Sequence, residues 1–469
     1  MRLLEIVLIA YLVVNLIRIL FARSRGFTSQ VLIWIGLFIL MLHWVTEGAR
    51  WQMYPTYLLV FIVIVSYYTV EAKGTVEQMD IRVRASLTLL LMALFAVAVS
   101  LPILLPVPQL QEPTGDFTVG TKTFHLIDAE RNDPYAPDPS MQRELMLQIW
   151  YPADPESTDK KAPWMDSAEI VAPEIAGWLE LPGFFLDHLH LTRSKALMNA
   201  EPLHSEAPYP MLLFSHGYGG FRAQNTNQAQ ELASHGFVVI GVEHTYGAVV
   251  TVFPDRRIAR HNPDTLPDGL PEDESLKTTR ALGRQWVQDL QFVLDSASGL
   301  TENGLHDFLA GIIDTDWIGI YGHSTGGGAA IEFCALDTRC DAVLTMDPFM
   351  KPVPAKTLAA GISAPALHLF SEEWPSDENT ARFLPFFSAS TGAKQSLSIE
   401  GTAHYDFSDL PLLTPIAHTI GLKGPLSGKR VIQIVNTLSV SFFEQTLRPD
   451  ETRAFSISLE SFPELNRFP

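Results

Sequence analysis

The chain is poor in three things, and each shortage narrows what it can be. It has 469 residues but only two cysteines, Cys334 and Cys340. Neither has a histidine or a second cysteine at metal-ligand spacing, so no zinc site is expected. Basic residues are also scarce: 33 Lys/Arg against 52 Asp/Glu give a formal net charge of −19, which disfavours nucleic acid as a ligand on electrostatic grounds. There is no internal repeat or low-complexity tract, and no small-residue cleavage site follows the first apolar block, so that block does not read as a removable signal peptide. At 47% hydrophobic and 18% charged residues, disorder is excluded and a core of more than one domain is affordable.

What is abundant is apolar sequence near the amino terminus. Four blocks, at about 3–21, 31–46, 56–70 and 85–107, are dominated by Leu, Ile, Val and Phe. A helix of roughly 20 residues, at about 1.5 Å per residue, crosses a hydrocarbon layer. The first and last blocks reach that length. The middle two are shorter and would need Trp44, Trp51, Tyr54, Tyr67 and Tyr68 at the interface. These blocks predict a transmembrane region of four helices over residues 1–107, and hence a multi-pass cell-membrane protein. Arg18, Arg23 and Arg25 flank the first connection and Lys73, Arg82 and Arg84 the third, whereas the second holds Arg50 alone. Positive loops stay in the cytoplasm, so everything after residue 107 is expected outside it. Residues 1–107 hold eight Lys/Arg and five Asp/Glu, leaving −22 on the remainder. In an oxidising compartment Cys334 and Cys340 can pair, tying a helix end to the next strand; two unpaired apolar side chains is the competing reading.

Residues 108–469 alternate strand-like and helix-like stretches. Unbroken apolar runs such as "PMLLFSHG", "GFVVIGVEH", "WIGIYGHS", "DAVLTMD" and "APALHLF" suit strands buried on both faces, and helical patterns fall between them, including "TGGGAAIEFCALD" and "GKRVIQIVNTLSVSFFEQTL". This predicts a single α/β domain with a doubly wound, mostly parallel sheet. Two stretches break the rhythm: an insertion near 155–207, rich in Trp, Phe and Leu, and a polar one near 250–276. The first suits a lid, a lipid-dipping surface or an ordinary packed insertion.

The chemistry is concentrated in "IYGHSTGGGAA", residues 320–330. An apolar strand runs into Gly322, His323, Ser324, Thr325 and Gly326, and small residues then open a helix. That is the G-x-S-x-G nucleophile elbow of an α/β-hydrolase fold, in its required strand-to-helix context; the glycines are needed because a Cβ there would strike neighbouring backbone. A serine hydroxyl needs a base, and the base needs a carboxylate to orient it, in the chain order Ser, acid, His. His368 lies within a strand and His418 at an expected helix start, which leaves His404, in the loop "TAHYDFSD", as the base. Asp347 ends the strand after the nucleophile's own and is the expected acid. Asp406 and Asp409 are too close to His404 in sequence, and Asp337 and Asp341 sit at the wrong strand end. Two backbone N–H groups should face the developing oxyanion, one from Thr325 and one from the loop "HGYGG", with Tyr218 the expected donor.

Taken in order, "LLFSHGYGGFRAQNTNQAQELASHGFVVIGVEH", "IGIYGHSTGGG", "DAVLTMDPFM", "SEEWPSDENTARF", "IEGTAHYDFSDLPLLTPI" and "KGPLSGKRVIQIVNTLSVSFFEQTL" resemble the plasma-type platelet-activating factor acetylhydrolases, also called group VII phospholipase A2, over most of residues 120–447. The resemblance implies a Ser324, Asp347 and His404 triad, an oxyanion hole at Tyr218 and Thr325, calcium-independent removal of short or oxidised acyl chains from phospholipids, and no metal or organic cofactor. Tyr218 and Thr325 replace apolar residues of that family, and the apolar amino-terminal blocks are foreign to its secreted members. Two other expectations remain open: a general carboxylesterase, lipase or polyester hydrolase, and a catalytically silent hydrolase-like membrane receptor.

Overall fold

The computed structural model describes residues 1–21, 27–73, 80–154, 156, 159–205, 207–301, 304–448, 457, 460 and 462–468. Its contacts divide the chain into two units. The first holds Met1–Pro108 with Asp187–Thr192 and Leu413–Ile416; the second holds Gln109–Leu186, Arg193–Leu412 and Ala417–Pro469.

The first unit is built on four helices, α1 (Leu3–Phe21), α2 (Phe27–Thr46), α3 (Tyr54–Lys73) and α4 (Ile81–Leu104). Leu8, Leu12 and Leu16 recur one turn apart on α1 and pack with Leu59, Val60, Val63 and Tyr67 of α3. Polar groups are also buried here. Arg50 Nε donates to Glu5 Oε1 at 2.7 Å and the Tyr67 hydroxyl to Asn15 Oδ1 at 2.6 Å. All four apolar blocks are therefore helical, but the expectation of four membrane crossings is corrected. Among the described residues, α4 is the one helix long and apolar enough to cross a membrane, judged by length and composition. The apolar helical stretches Gln30–Thr46 and Trp51–Tyr67 are 17 residues or fewer, which at about 1.5 Å per residue falls short of a hydrocarbon layer of roughly 30 Å. In α1, Glu5 and Asn15 are polar and fully buried. Helix α4 also begins four residues earlier and ends three earlier than the block 85–107. Arg23 and Arg25, used to orient the chain, lie outside the described residues.

The second unit carries thirteen strands among its described residues: β1 (Val119–Asn132), β2 (Gln142–Pro152), β3 (Lys161–Pro163), β4 (Arg193–Met198), β5 (Tyr209–Ser215), β6 (Val238–Glu243), β7 (Val250–Val252), β8 (Ile258–Arg260), β9 (Ile313–His323), β10 (Ala342–Met346), β11 (Ala366–Ser371), β12 (Lys394–Ile399) and β13 (Leu465–Arg467). Eleven form one sheet in the order β13-β12-β11-β10-β9-β5-β6-β2-β1-β4-β3, and β7 and β8 form a separate hairpin. The run from β6 through β5, β9, β10 and β11 to β12 is parallel throughout, as the apolar strands require. Between and after the strands lie α5 (Ala168–Trp178), α6 (Thr226–Ser234), α7 (Glu272–Ala297), α8 (Gly304–Leu309), α9 (Thr325–Leu336), α10 (Ala355–Ala360), α11 (Asp377–Ala389) and α12 (Gly428–Leu447).

Alternation along β5 divides the core. Met211 and Leu213 face one layer with Trp286 and Leu290 of α7 and Ala329 of α9, while Leu212 and Phe214 face the other with Leu232 of α6 and Phe442 of α12. The result is a doubly wound sheet covered on both faces, the architecture of an α/β-hydrolase. The insertion near 155–207 supplies β3, α5 and β4, and is packed: the Trp164 indole is buried and donates to the Ala223 carbonyl at 3.2 Å. Cys334 of α9 and Cys340, just before β10, are joined in a disulfide, the first of the two readings the sequence allowed.

One buried charge network holds the β2, β6 and α7 region together. Arg143 is enclosed and donates to Asp289 Oδ2 and to Asp133 Oδ2, each at 2.6 Å. Removing the guanidinium while keeping its bulk, as in Arg143→Met, leaves the buried Asp133 carboxylate without its guanidinium and Asp289 with Arg131 in its place. The expected loss is about 3–5 kcal/mol, read as a lowered midpoint in denaturant unfolding; an unchanged midpoint would show that the network contributes nothing net.

Candidate active site

Strand β9 ends at His323, and the chain must reverse into α9 within one residue. It does so at Ser324, whose φ of 54° and ψ of −120° are unusual for a residue bearing a Cβ. The turn is possible because its flanks carry no side chain. A Cβ at Gly322 would lie 2.3 Å from the Gly326 carbonyl oxygen, and one at Gly326 would lie 2.1 Å from that of Ser215. The Ser324 amide is tied to the next strand by a bond to the Met346 carbonyl at 2.9 Å, and its own carbonyl accepts from Phe349 N–H at 2.8 Å. Ser324 thereby stands at the carboxyl edge of the parallel sheet, where such sheets bind ligands.

Asp347 follows β10 at the same edge, also with a positive φ of 45°. His404 opens the loop after β12. Its Nδ1 lies 3.0 Å from Asp347 Oδ2, so the sequence-expected acid and base are hydrogen-bonded. Ser371, at the end of β11, holds the carboxylate from the other side: its N–H donates to Oδ1 at 2.7 Å and its hydroxyl to Oδ2 at 2.6 Å. Burial raises the Asp347 carboxyl above its ordinary value, against the pull of the two Ser371 hydrogen bonds, and burial lowers the His404 imidazole. Both groups sit where charge is disfavoured. The imidazole is neutral at neutral pH, the form a base requires.

Ser324 and His404 line one cavity of about 260 Å³, together with Gly217, Tyr218 and His323. Its remaining walls are largely aromatic and aliphatic: Ile175, Trp178 and Leu179 come from the first insertion, and Phe221, Trp374, Tyr405 and Leu410 from loops above the sheet. The Trp374 indole stacks on the His404 ring at 3.8 Å between centroids. Tyr218 packs edge-on against His261 at 4.7 Å, and its hydroxyl contacts Thr265 Oγ1 at 2.9 Å, so the second insertion buttresses this wall. Among the described residues, the N–H groups of Tyr218 and Thr325 have no protein acceptor. Thr325 is the first residue of α9, where the helix dipole adds positive potential.

The residues passed over in the sequence have other duties. His368 is buried on β11 and contacts Thr345 Oγ1 at 2.8 Å; Asp406 caps its own loop by accepting from Ala403 and Gly424 N–H at 2.9 and 2.7 Å; Asp409 accepts from Asn227. Three contributors were missed. Ser371 and Trp374 belong to a strand end and loop beside Asp347, and pairing Met346 with Leu369 would have pointed to them. The third is the second role of His323, read only as part of the elbow. Its Nε2 lies 3.0 Å from the His404 carbonyl oxygen and its Nδ1 takes a bond from the Gln224 amide at 3.1 Å, so it fastens the loop of His404 to the elbow. No group of three or more His, Cys, Asp or Glu able to hold a metal ion occurs among the described residues.

This fold, with a strained serine beside a histidine and aspartate at the sheet edge, defines the α/β-hydrolase class. Comparisons narrow the class. The family model for platelet-activating factor acetylhydrolase, isoform II, matches residues 107–456, and the chain belongs to that family. It is similar to the platelet-activating factor acetylhydrolase of Cavia porcellus, 26% identical over 65% of this chain and 73% of the relative, and to that of Bos taurus, 28% identical over 64% and 71%. Among solved structures it is similar to a ferulic acid esterase from Streptomyces cinnamoneus, with a TM-score of 0.64 and 29% identity, covering 77% of this chain and 100% of that one. The chain is an ester hydrolase.

Because the Gly326 position is closed by main-chain carbonyls that cannot swing aside, Gly326→Ala is expected to displace Ser324 and abolish ester hydrolysis, measured with a p-nitrophenyl ester, in protein that still unfolds cooperatively. Activity within tenfold of the parent would show that the elbow can relax.

Proposed function

We propose that this chain removes short or oxidised acyl groups from phospholipids through a Ser324, His404 and Asp347 triad. The observation that carries the reading is the 3.0 Å bond between His404 Nδ1 and Asp347 Oδ2 beside a cavity that Ser324 also lines. In the proposed cycle, Ser324 Oγ attacks the ester carbonyl and passes its proton to His404 Nε2. Asp347 stabilises the imidazolium that forms. The carbonyl oxygen becomes an oxyanion and takes hydrogen bonds from Tyr218 and Thr325 N–H, each worth roughly 3–4 kcal/mol of barrier in comparable sites. His404 returns the proton to the leaving alcohol, an acyl group remains on Ser324, and water repeats the sequence to release the acid. The relatives named for platelet-activating factor acetylhydrolase support the phospholipid reading, and the limited cavity of about 260 Å³ supports a short acyl chain.

Membrane anchorage through Ile81–Leu104 is part of the proposal. Its 24 residues span roughly 36 Å, enough for the hydrocarbon layer. Lys73, Arg82 and Arg84 lie before or at its start, and the next basic residue after it is Lys122. Positive residues stay inside, which supports a hydrolase unit outside the cytoplasm, as does the Cys334–Cys340 disulfide. A second reading, hydrolysis of aromatic or other non-phospholipid esters, is favoured by the aromatic lining of Trp178, Tyr218, Phe221, Trp374 and Tyr405.

Hydrolysis of phosphatidylcholines graded by sn-2 chain length, beside p-nitrophenyl and feruloyl esters, separates the readings. The expected result is a preference for acetyl and short or oxidised chains that falls steeply with length and vanishes in Ser324→Ala; turnover of the aryl esters alone would displace the phospholipid reading. The pH dependence has a definite sign. A base must be unprotonated and its orienting carboxylate ionised; burial lowers His404 from the ordinary imidazole value of 6.5 and raises the Asp347 carboxyl to about 7, so the acid limb of kcat/KM should report the carboxyl, with no imidazole step at 6.5. A His404 ring resonance that titrates at or above 6.5 by NMR would remove His404 from the role.

A further inference from the structure

His216 follows β5 and is fully buried, outside the lining of the cavity. Its Nε2 lies 3.1 Å from the backbone nitrogen of His244. A peptide N–H can only donate, so Nε2 must carry a lone pair and the ring proton sits on Nδ1. Nδ1 is 2.6 Å from the Gly217 carbonyl oxygen, and the bond therefore runs from the imidazole to the main chain. The same oxygen accepts from Gly220 N–H at 2.9 Å. The described chain has no cis peptide, and in a trans peptide the C=O and the following N–H point in opposite directions. Two donors that hold the Gly217 carbonyl therefore also set the direction of the Tyr218 N–H, which has no protein acceptor.

His244, which fixes the tautomer of His216, is itself fixed. Its ring stacks on Trp286 at 4.1 Å, its Nε2 contacts Ser215 Oγ at 2.9 Å, and its Nδ1 contacts Asp289 Oδ2 at 2.9 Å. Asp289 is held in turn by Arg143. Ser215, His244 and Asp289 repeat the residue types of a nucleophile triad, but all three are completely buried and no substrate can reach them. Burial also drives His216 well below the ordinary imidazole range, which keeps the ring neutral.

We infer that His216 is a positioning residue for the oxyanion hole, holding the Gly217–Tyr218 peptide so that the Tyr218 N–H faces the developing negative charge. The inference rests on the assignment of Tyr218 as an oxyanion donor in the proposed function. His216→Phe keeps the ring and removes the donor. Its kcat on p-nitrophenyl acetate, per site titrated with a fluorophosphonate, is expected to fall about 100-fold with KM changed less than about threefold, since the contact matters in the transition state. His216→Asn, whose amide can occupy the Nδ1 position, is expected to recover most of that loss. A purely structural role would instead lower the fraction of titratable sites and leave kcat per site intact, which would overturn the inference, as would an Asn variant no better than Phe. If the Phe variant yields no titratable sites, His216→Gln replaces it, because its amide reaches the Nε2 position and lacks the bond to Gly217; the same loss is expected. Replacing Tyr218 by its α-hydroxy acid converts that one peptide to an ester and deletes the N–H alone. Unchanged kcat there would sink the oxyanion assignment itself; a loss there with none in His216→Phe would sink only the role of His216.

Discussion

The close approach of two backbones, the first turn of α9 and the end of β5, is the constraint on which the site depends. Gly326 lies so near the carbonyls of Ser215 and His216 that any side chain would collide with main-chain atoms. The contact brings the start of a helix, with its free N–H groups, against the loop that carries Tyr218, and leaves Ser324 projecting between them. A strained φ at Ser324 is the consequence, and it persists because the parallel strands on either side hold both ends of the turn.

Burial does the electrostatic tuning. Asp347 and His404 are placed where charge is unfavourable on each, so the resting pair has little incentive to separate charge. Ser371 holds the Asp347 carboxyl with two hydrogen bonds, from its N–H and its hydroxyl. Arg143 and Asp289 illustrate the opposite solution to the same problem. There, buried charges are paired directly, in a network that also includes Asp133 and Arg131, and serve as a fixed post for His244.

The strand and helix alternation was legible because parallel strands buried on both faces must be continuously apolar, as in "PMLLFSHG" and "GFVVIGVEH". Short elements were not: β3, β4, β7, β8 and β13 have three to six residues each, too few to show a pattern of their own, and β4 and β13 also draw their pairing from distant partners. The amino-terminal blocks were legible as helices and misread as four crossings. Hydropathy measures the side chains, whereas a crossing also needs about 20 consecutive residues, and the apolar stretches Gln30–Thr46 and Trp51–Tyr67 stop short of that.

The sequence by itself marked Ser324 as the candidate nucleophile, because only small residues can flank so sharp a turn, and it put the candidate acid and base, Asp347 and His404, behind it. It also determined that a doubly wound sheet would place them at one edge. The tertiary structure alone decided which groups finish the site. Ser371 meets Asp347 across a strand pairing, Trp374 covers His404 from a loop, and His216 receives its tautomer from a backbone N–H on another strand. Contacts of that kind depend on the register and distance of segments far apart in the chain, which no local pattern of residues encodes.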